Sequence, residues 1–579
     1  MVCAFRAAVA VRVWLAPRRW GGAAVLLAAL AAASLGTAFA LPAPFVRGSA
    51  NTAVADPPVV RPGTRAVRVA LFSGFRFTDY APKAFAYQPP PGRGHWAKIV
   101  LVADFSVTPG RQFDRTAQIA IGHTNIYFGT TAEPSPKVGP AWHVERDITD
   151  DSALLKTAQL GEASLGTVVD AKYTGVFQGS AALLFYPADR HNPPADTPDM
   201  VLPLPDTPSG TGSLGGERET LTRTFTFPTN VVRAYLDLIT QSQGQDEFWY
   251  LSVPDSRAAQ LQSSGGTAFR EAEISVDGTP VGVAPVYPWI YTGGIDPSLW
   301  RPIPGVQTLC FVPYRVDLTP FAGRFSNGRP HQISVRIVNN RNYFQVAGTL
   351  LLYRDPVLRV VKGALTQNTL SQSPAPVLAQ SLATVNGRTS GPVSVVSTRR
   401  FVTEGYVLSS LGKRTTRVAQ RVCFSSVQQF DLSAAGGSQS ARQMTTVLSD
   451  TTTRLGGLLV EQHRELAYPL SILSLHQAAP DGTATQTTTL RQGWQLQERS
   501  WVNGFPLFAR TALSEVRPTD TLLLDAKGAV TGSRGRTSAQ TYLYADTLGN
   551  RYRGTLTAAN GLLLSAAAEE GYPTAGRAR

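Results

Sequence analysis

The sequence predicts an all-β protein: two tandem jelly-roll-like β-sandwich domains followed by a further β-rich C-terminal region. Three observations predict it. Short alternating runs dominate, among them KIVLVADFSV, AQIAIG, RAYLDLIT, EAEISVDG and HQISVRIV, each bounded by Gly, Pro, Asn or Asp. Helical periodicity is scarce, and DSALLKTAQLG supports one short helix at most. The third observation is an internal repeat. A first copy runs KIVLVADFSV, FDRTAQIAIG, VERDITD, LLFYP; a second runs RAYLDLIT, FREAEISVDG, YRVDLTP, LLLYRDP. Asp147 and Asp317 are 170 residues apart, and Tyr186 and Tyr353 are 167 apart. Two nearly equal offsets indicate duplicated domains of similar size.

In chain order, residues 1–40 carry the grammar of a secretory signal peptide. Arg6, Arg12, Arg18 and Arg19 precede the apolar run AAVLLAALAAASLG, and AFA at 38–40 is an A-x-A cleavage site. The protein is therefore expected to be secreted or periplasmic, cleaved near Ala40, without stable membrane insertion after signal removal. Residues 41–64 form an N-terminal extension, 65–187 the first sandwich, and 188–217 a Pro-, Gly-, Asp- and Ser-rich linker. Residues 218–356 are the second sandwich. From 357 to 579 the texture shifts to Thr- and Ser-rich strands such as TATQTTTLRQGWQLQ.

The formal net charge of +14 raises the possibility of nucleic-acid binding. However, only eight of the 54 basic residues are Lys, and the arginines are scattered, with no zinc finger, RGG tract or basic helix. Nucleic acid is not expected as a partner. After signal removal Cys310 and Cys423 remain, too few for a disulfide scaffold. The sequence contains no HExxH, GxSxG, P-loop or GxGxxG after a strand, and its seven histidines lack metal-ligand spacing. No cofactor and no metal are expected, which leaves carboxylates to carry any chemistry.

Two carboxylate–aromatic stretches occupy matching places in the repeats. In GRQFDRTAQIAIG, strand alternation puts Phe113, Arg115, Ala117, Ile119 and Ile121 on one face and Gln112, Asp114, Thr116 and Gln118 on the other. Asp114 then faces either a cleft or solvent. In DEFWYLSVPDS, read as a strand running into a proline turn at Pro254, Glu247 shares its side with Trp249, while Asp246 lies opposite with Phe248 and Tyr250. Desolvation beside Trp249 would raise the Glu247 pKa and make it a usable acid–base group. Alternatively, Asp246 and Glu247 only cap turn amides while the rings fill the core. Glu271, in the strand after Phe269, and Glu133, in the loop TTAEPSP, are further acidic candidates. Trp249, Trp289, Trp300 and Tyr291 offer flat apolar faces, or ordinary core. The glycines of YTGGIDP would let backbone amides approach a ligand.

These residues carry a resemblance. GRQFDR, TAEPSP, VERDIT and KYTGVF in the first domain, and FTFPTN, DEFWYLSVPDS, FREAEISVDG, YPWIYTGGIDPSLWRPI and YRVDLTPF in the second, resemble the peptide N-glycanase A family in family order over about residues 65–356. Plant members carry more cysteines, so their disulfide pattern does not transfer. The resemblance implies metal-free hydrolysis of the bond between asparagine and the first N-acetylglucosamine of an N-glycan, with N-glycosylated peptides or glycoproteins as partners. By similarity to a distant bacterial glycoamidase of two jelly rolls with acids at their interface, Phe113-Asp114-Arg115 matches the segment bearing its catalytic aspartate. Glu247 is the nearest counterpart of a second-domain glutamate, and Asp170 a possible stand-in for a third acid. In this reading Asp114 activates water, Arg115 stabilises the carbonyl oxygen and Glu247 moves the proton to the leaving nitrogen. A glycan-binding sandwich without catalysis and a two-carboxylate glycoside hydrolase remain as alternatives.

Overall fold

The computed structural model describes residues 46–92, 94–371 and 373–571. The expected signal peptide lies outside them. Strands β1 (Val67–Phe77), β2 (Lys83–Tyr87), β3 (Trp96–Val107), β4 (Thr116–Ile121), β5 (Thr124–Thr130), β6 (Ala141–Asp147), β7 (Gln159–Leu165) and β8 (Phe177–Pro187) form two four-stranded sheets. One runs β1-β8-β3-β6, the other β2-β7-β4-β5, which is jelly-roll order. Alternate residues such as Ile99, Leu101, Ile119, Ile121 and Phe185 point inward and fill the core between them. The one short helix expected near 151–161 is instead two single turns, Thr149–Asp151 and Leu154–Lys156, leading into β7.

The second unit contains β9 (Met200–Pro203), β10 (Thr211–Leu214), β11 (Leu221–Thr226), β12 (Val231–Gln243), α1 (Asp255–Leu261), β13 (Glu271–Val276), β14 (Thr279–Pro285), β15 (Tyr314–Asp317), β16 (Pro330–Val338) and β17 (Tyr343–Arg354). Its sheets run β10-β17-β12-β15 and β11-β16-β13-β14, the first topology repeated. Asp147 ends β6 and Asp317 ends the equivalent β15. Each accepts the backbone N–H of the threonine two residues on, at 3.0 and 2.9 Å, so one turn recurs in both halves. The segment 188–217, expected as a linker, contains β9 and β10, both paired with β17.

Residues 362–571 form one twelve-stranded sheet. It contains β18 (Lys362–Asn368), β19 (Val377–Gln380), β20 (Ala383–Val385), β21 (Arg388–Ser409), β22 (Gly412–Ser433), β23 (Gly436–Leu455), β24 (Leu458–Ala478), β25 (Ala484–Val502), β26 (Phe505–Leu524), β27 (Val530–Asp546), β28 (Arg551–Ala559) and β29 (Leu562–Gly571). From β21 onward each strand pairs with the next. With 22 residues, β21 reaches about 70 Å. One face of this sheet packs on the second jelly roll, and the two share a single core. Phe424 meets Phe269 edge-on at 5.1 Å and lies 6.3 Å from Trp249, and Tyr468 packs on Tyr287 at 4.9 Å. Such aromatic pairs add about 0.5–1.5 kcal/mol each beyond area burial. The N-terminal extension ties the units together: Ala53 N–H donates to Pro302 O, Ala55 N–H to Gln540 Oε1, and Ser514 Oγ to Asp56 Oδ1. Cys310 is a thiol not linked to Cys423, and burial pushes its pKa up to about 11.

The stretch 246–251, read as a strand, is instead two tight turns, Gly244–Asp246 and Trp249–Leu251, and Pro254 precedes α1 rather than breaking the chain into a turn. Asp246 explains why strand pairing lost. Its Oδ1 accepts from Arg270 Nε at 2.8 Å, and its Oδ2 from the N–H groups of Arg341, Asn342 and Tyr343 at 2.9, 2.8 and 3.3 Å. Arg270 Nη1 in turn donates to the carbonyls of Gly266, Thr267 and Phe269. Both side chains are fully buried, so neither charge has water to fall back on.

Two outcomes follow from this packing. Arg270→Met should destabilise the protein by about 3–5 kcal/mol in denaturant unfolding, because it strands the buried Asp246 charge; a loss under 1 kcal/mol would contradict the buried pair. A chain ending at residue 356 should aggregate, since the second jelly roll loses the cover over Trp249 and Phe269; a soluble, monodisperse product by size-exclusion chromatography would contradict the shared core.

Candidate active site at the junction of the two sandwiches

The first jelly roll ends its β2-β7-β4-β5 sheet at β5, a strand buried along its whole length. Its free edge is covered by the segment 308–311 of the second jelly roll. Thr130 N–H donates to Thr308 O at 2.9 Å, Phe311 N–H to Phe128 O at 2.8 Å and Tyr127 OH to Leu309 O at 2.7 Å. A Cβ at Gly129 would stand 2.3 Å from Leu309 O, so only glycine allows this approach. Covering the edge satisfies its backbone groups and fixes the two units against each other.

That docking sets two loops of the first jelly roll against the loop 287–306 of the second. Asp114 lies two residues before β4, and Glu133 three residues after β5. Thr131 N–H donates to Arg115 O and Thr131 Oγ1 accepts from Arg115 N–H, both at 2.9 Å, so the two loops are clamped side by side. Thr292 Oγ1 donates to Thr131 O at 2.8 Å across the interface. Beside it, Gly293 fits between the acids: a Cβ there would be 2.4 Å from Asp114 Oδ1 and 2.8 Å from Glu133 Oε2. Arg301 donates to Pro134 O at 2.8 Å and stands 3.7 Å from Glu133 Oε1, while Glu133 Oε2 is buried with no hydrogen-bond partner.

Burial is the first cause of every shift here. It pushes Asp114 to about 6, opposed by backbone amides of Asp114 and Gly293 and by the Arg115 charge. Glu133 rises to about 8, chiefly by burial, with Arg301 opposing and the charges of Asp114 and Asp296 adding. Glu247 rises to about 7 through burial and then the charge of Asp114. Like charges cannot all ionise together in a half-dry site. Asp114 loses its proton first and holds the other two in their acid forms.

Several candidates sit elsewhere. Asp246 belongs to the Arg270 knot. Glu271 is 2 % exposed on β13 and paired with Arg399 of β21 at 3.2 Å, joining the jelly roll to the long sheet. Trp249, Trp289, Trp300 and Tyr291 are all core, between 0 and 4 % exposed. Trp249 packs beneath Phe424 of the long sheet. Tyr291, within reach of the Asp114 and Glu247 charges, packs on Phe311 and donates its OH to Ser242 O at 2.5 Å. None presents a face to a sugar. Asp170 is exposed and accepts the N–H groups of Lys172 and Tyr173 in a surface turn. The alternation assumed around Asp114 also fails, since β4 starts only at Thr116, leaving Phe113 45 % exposed. Phe113 pairs with Tyr173 at 5.4 Å, and Arg115 lies 5.8 and 6.0 Å from the two rings. The Arg115 guanidinium donates to Gln112 Oε1 at 2.7 Å. An aromatic rim thus flanks Asp114. Tyr173 and Arg301 carried no chemical signal as isolated letters in the chain.

Residues 60–368 match the family model "Peptide N-acetyl-beta-D-glucosaminyl asparaginase amidase A". The peptide-N4-(N-acetyl-beta-glucosaminyl)asparagine amidase A of Prunus dulcis is 30 % identical over 379 residues, 62 % of this chain and 65 % of that protein, so the match spans somewhat under two thirds of the relative. Among solved structures, peptide N-glycanase F aligns at 14 % identity and a TM-score of 0.34, over 50 % of this chain and 96 % of that one. PNGF-II aligns at 15 % and 0.35, over 50 % and 65 %. With the family model covering more than half of its length, the chain belongs to the peptide N-acetyl-β-D-glucosaminyl asparaginase amidase A family.

Proposed function

We propose that the protein is an exported peptide N-glycosidase that hydrolyses the amide bond between an asparagine side chain and the first N-acetylglucosamine of an N-glycan. The observation carrying this reading is the second-sandwich Gly293 backbone lying between two carboxyls of the first, Asp114 and Glu133. Burial raises these to about 6 and 8, and Glu247 of the second sandwich is raised to about 7 by burial and the Asp114 charge. A base and an acid at one site are what amide hydrolysis needs. Family membership and the Prunus dulcis relative support the substrate class. The N-terminal 40 residues support export.

Asp114, as carboxylate, takes a proton from water as the water oxygen adds to the side-chain carbonyl carbon of asparagine. Arg115 keeps Asp114 ionised and adds positive charge beside the developing oxyanion. Glu133, still protonated, gives its proton to the glycosidic nitrogen as the carbon–nitrogen bond breaks. The proton held by Asp114 then returns through solvent to Glu133. Aspartate stays in the peptide, and the glycan leaves as a glycosylamine that later loses ammonia. Glu247, which ionises near 7, hydrogen-bonds the sugar. The exposed Phe113 ring and the half-buried Tyr173 ring supply the surface on which a sugar face stacks.

Incubation with an N-glycopeptide and mass analysis tests the reading. The peptide should return with aspartate and the glycan with both core N-acetylglucosamines. Sugar left on asparagine would mark a glycoside hydrolase, and unchanged substrate a binding protein. Asp114→Asn and Glu133→Gln should each lower kcat by about 10²–10⁴-fold without unfolding the protein, and full activity in either removes that residue from the mechanism. For the wild type, kcat/KM should rise with pH through about 6 as Asp114 ionises and fall through about 8 as Glu133 loses its proton. Activity should persist in chelator, because the acid and base are both side chains; loss restored by added metal would contradict this.

A further inference from the structure

The loop that carries Gly293 and Arg301 also carries Asp296, whose side chain meets the long C-terminal sheet. It is 1 % exposed and lies against Asp520, a residue of β26 that is itself fully buried. Their side chains are within hydrogen-bonding reach of each other. Each has one well-satisfied oxygen. Asp296 Oδ1 accepts from Ser298 N–H at 2.8 Å, and Asp520 Oδ1 from Thr521 N–H at 2.8 Å. On each, Oδ2 is buried with no donor. Two ionised carboxylates, both acceptors only, cannot satisfy one another, whereas a single proton between them satisfies both.

The surroundings keep that proton in place. Arg301 stands near Asp296 but is engaged with Pro134 O and Glu133, and Arg536 of β27 faces Arg301. The Asp296 charge is in turn felt by Glu133, whose pKa it raises. Burial and then the neighbouring Asp520 charge raise the Asp296 pKa above the usual carboxylate range, which fits a shared proton. The same loop is wound tightly on both sides of Asp296. Gly294 N–H donates to Tyr291 O, Asp296 N–H to Gly294 O, and Trp300 Nε1 to Gly294 O, at 2.9, 2.7 and 2.8 Å. A pull on Asp296 is therefore passed to Gly293, two residues from Tyr291, and to Arg301.

We propose that Asp520, from the C-terminal sheet, is a positioning residue for the active site: through a proton shared with Asp296 it anchors the loop that holds Gly293 against Asp114 and Glu133. The long sheet is then part of the working enzyme, although Asp520 lies 152 residues beyond the end of the family match. Asp520 touches no substrate. Its effect falls on the alignment of the acids, hence on kcat rather than KM. This inference rests on the glycosidase reading for its kinetic readout only.

The test uses the full chain and three forms, wild type, Asp520→Asn and Asp520→Leu, with glycopeptide hydrolysis and thermal unfolding measured under the same conditions. Asn supplies a permanent donor to Asp296 and should keep kcat within about threefold. Leu, an apolar replacement of similar size, should fold yet lower kcat at least tenfold with KM within about twofold. Full kcat in the Leu form, or equal losses in the Asn and Leu forms at every pH, would overturn the proposal. Difference infrared spectroscopy tests the pair independently of activity. Wild type minus Asp520→Asn should show a protonated-carboxyl stretch that disappears as pH rises, and wild type minus Asp296→Asn should show the same band. If that band is present while wild type releases no glycan, the glycosidase reading fails and the anchored loop stands; if it is missing, the shared proton is refuted whether or not the enzyme is active.

Discussion

The site depends on one close approach, the backbone of Gly293 between the carboxyls of Asp114 and Glu133. No side chain fits there, because a Cβ would stand 2.4 Å from one carboxyl oxygen and 2.8 Å from the other. The contact brings a second-domain amide to Asp114 and excludes water from both acids at once. Desolvation raises both carboxyls, and the amides of Gly293 and Asp114 lower only Asp114. The difference between an acid that ionises near 6 and one that ionises near 8 comes from those amides and the Arg115 charge on Asp114, from the Asp114 and Asp296 charges on Glu133, and in small part from the lower ordinary value of an aspartate.

Everything that holds the approach in place lies outside the site. The edge of β5 is closed by residues 308–311 through backbone hydrogen bonds, which fixes how far apart the sandwiches sit. Thr292 and Arg301 then tie the Gly293 loop to the first domain at Thr131 and Pro134. On the far side, the same loop is gripped by the long sheet. Gln492 of β25 donates to Pro288 O at 2.7 Å and accepts from Val306 N–H at 2.9 Å. The loop is held from two directions, so three units build a site that occupies the boundary of only two. Burying several partly ionised carboxyls costs free energy that a single small domain would struggle to meet, and a shared core offsets it.

Much of this was legible in the letters. Alternation and turn residues gave the β class, and the offset landmarks Asp147/Asp317 and Tyr186/Tyr353 occupy equivalent strands in two jelly rolls of the same topology. Asp114 was singled out from its place after a strand and turn, and Glu133 from its loop. What stayed hidden depends on contacts between distant segments. The rings of 249, 289, 291 and 300 look like sugar platforms only until packing with distant segments, the C-terminal sheet among them, buries all four. Asp246 looks like a pocket acid until Arg270 and three amides around residue 342 enclose it. Period-two reasoning failed around Phe113 and in 246–250 for one reason: both precede or replace strands, and side-chain direction there is set by turn hydrogen bonds rather than by the pleat.

Gly293→Ala tests the central contact most directly. The position needs no unusual backbone angle, so alanine changes only the space between the acids, and overpacking of this kind costs about 1–3 kcal/mol. The account predicts a folded protein, by circular dichroism and thermal unfolding, whose rate of glycan release from a glycopeptide falls at least tenfold. A folded Gly293→Ala protein that releases glycan at the wild-type rate would show that the pinch between Asp114 and Glu133 is not what makes the site.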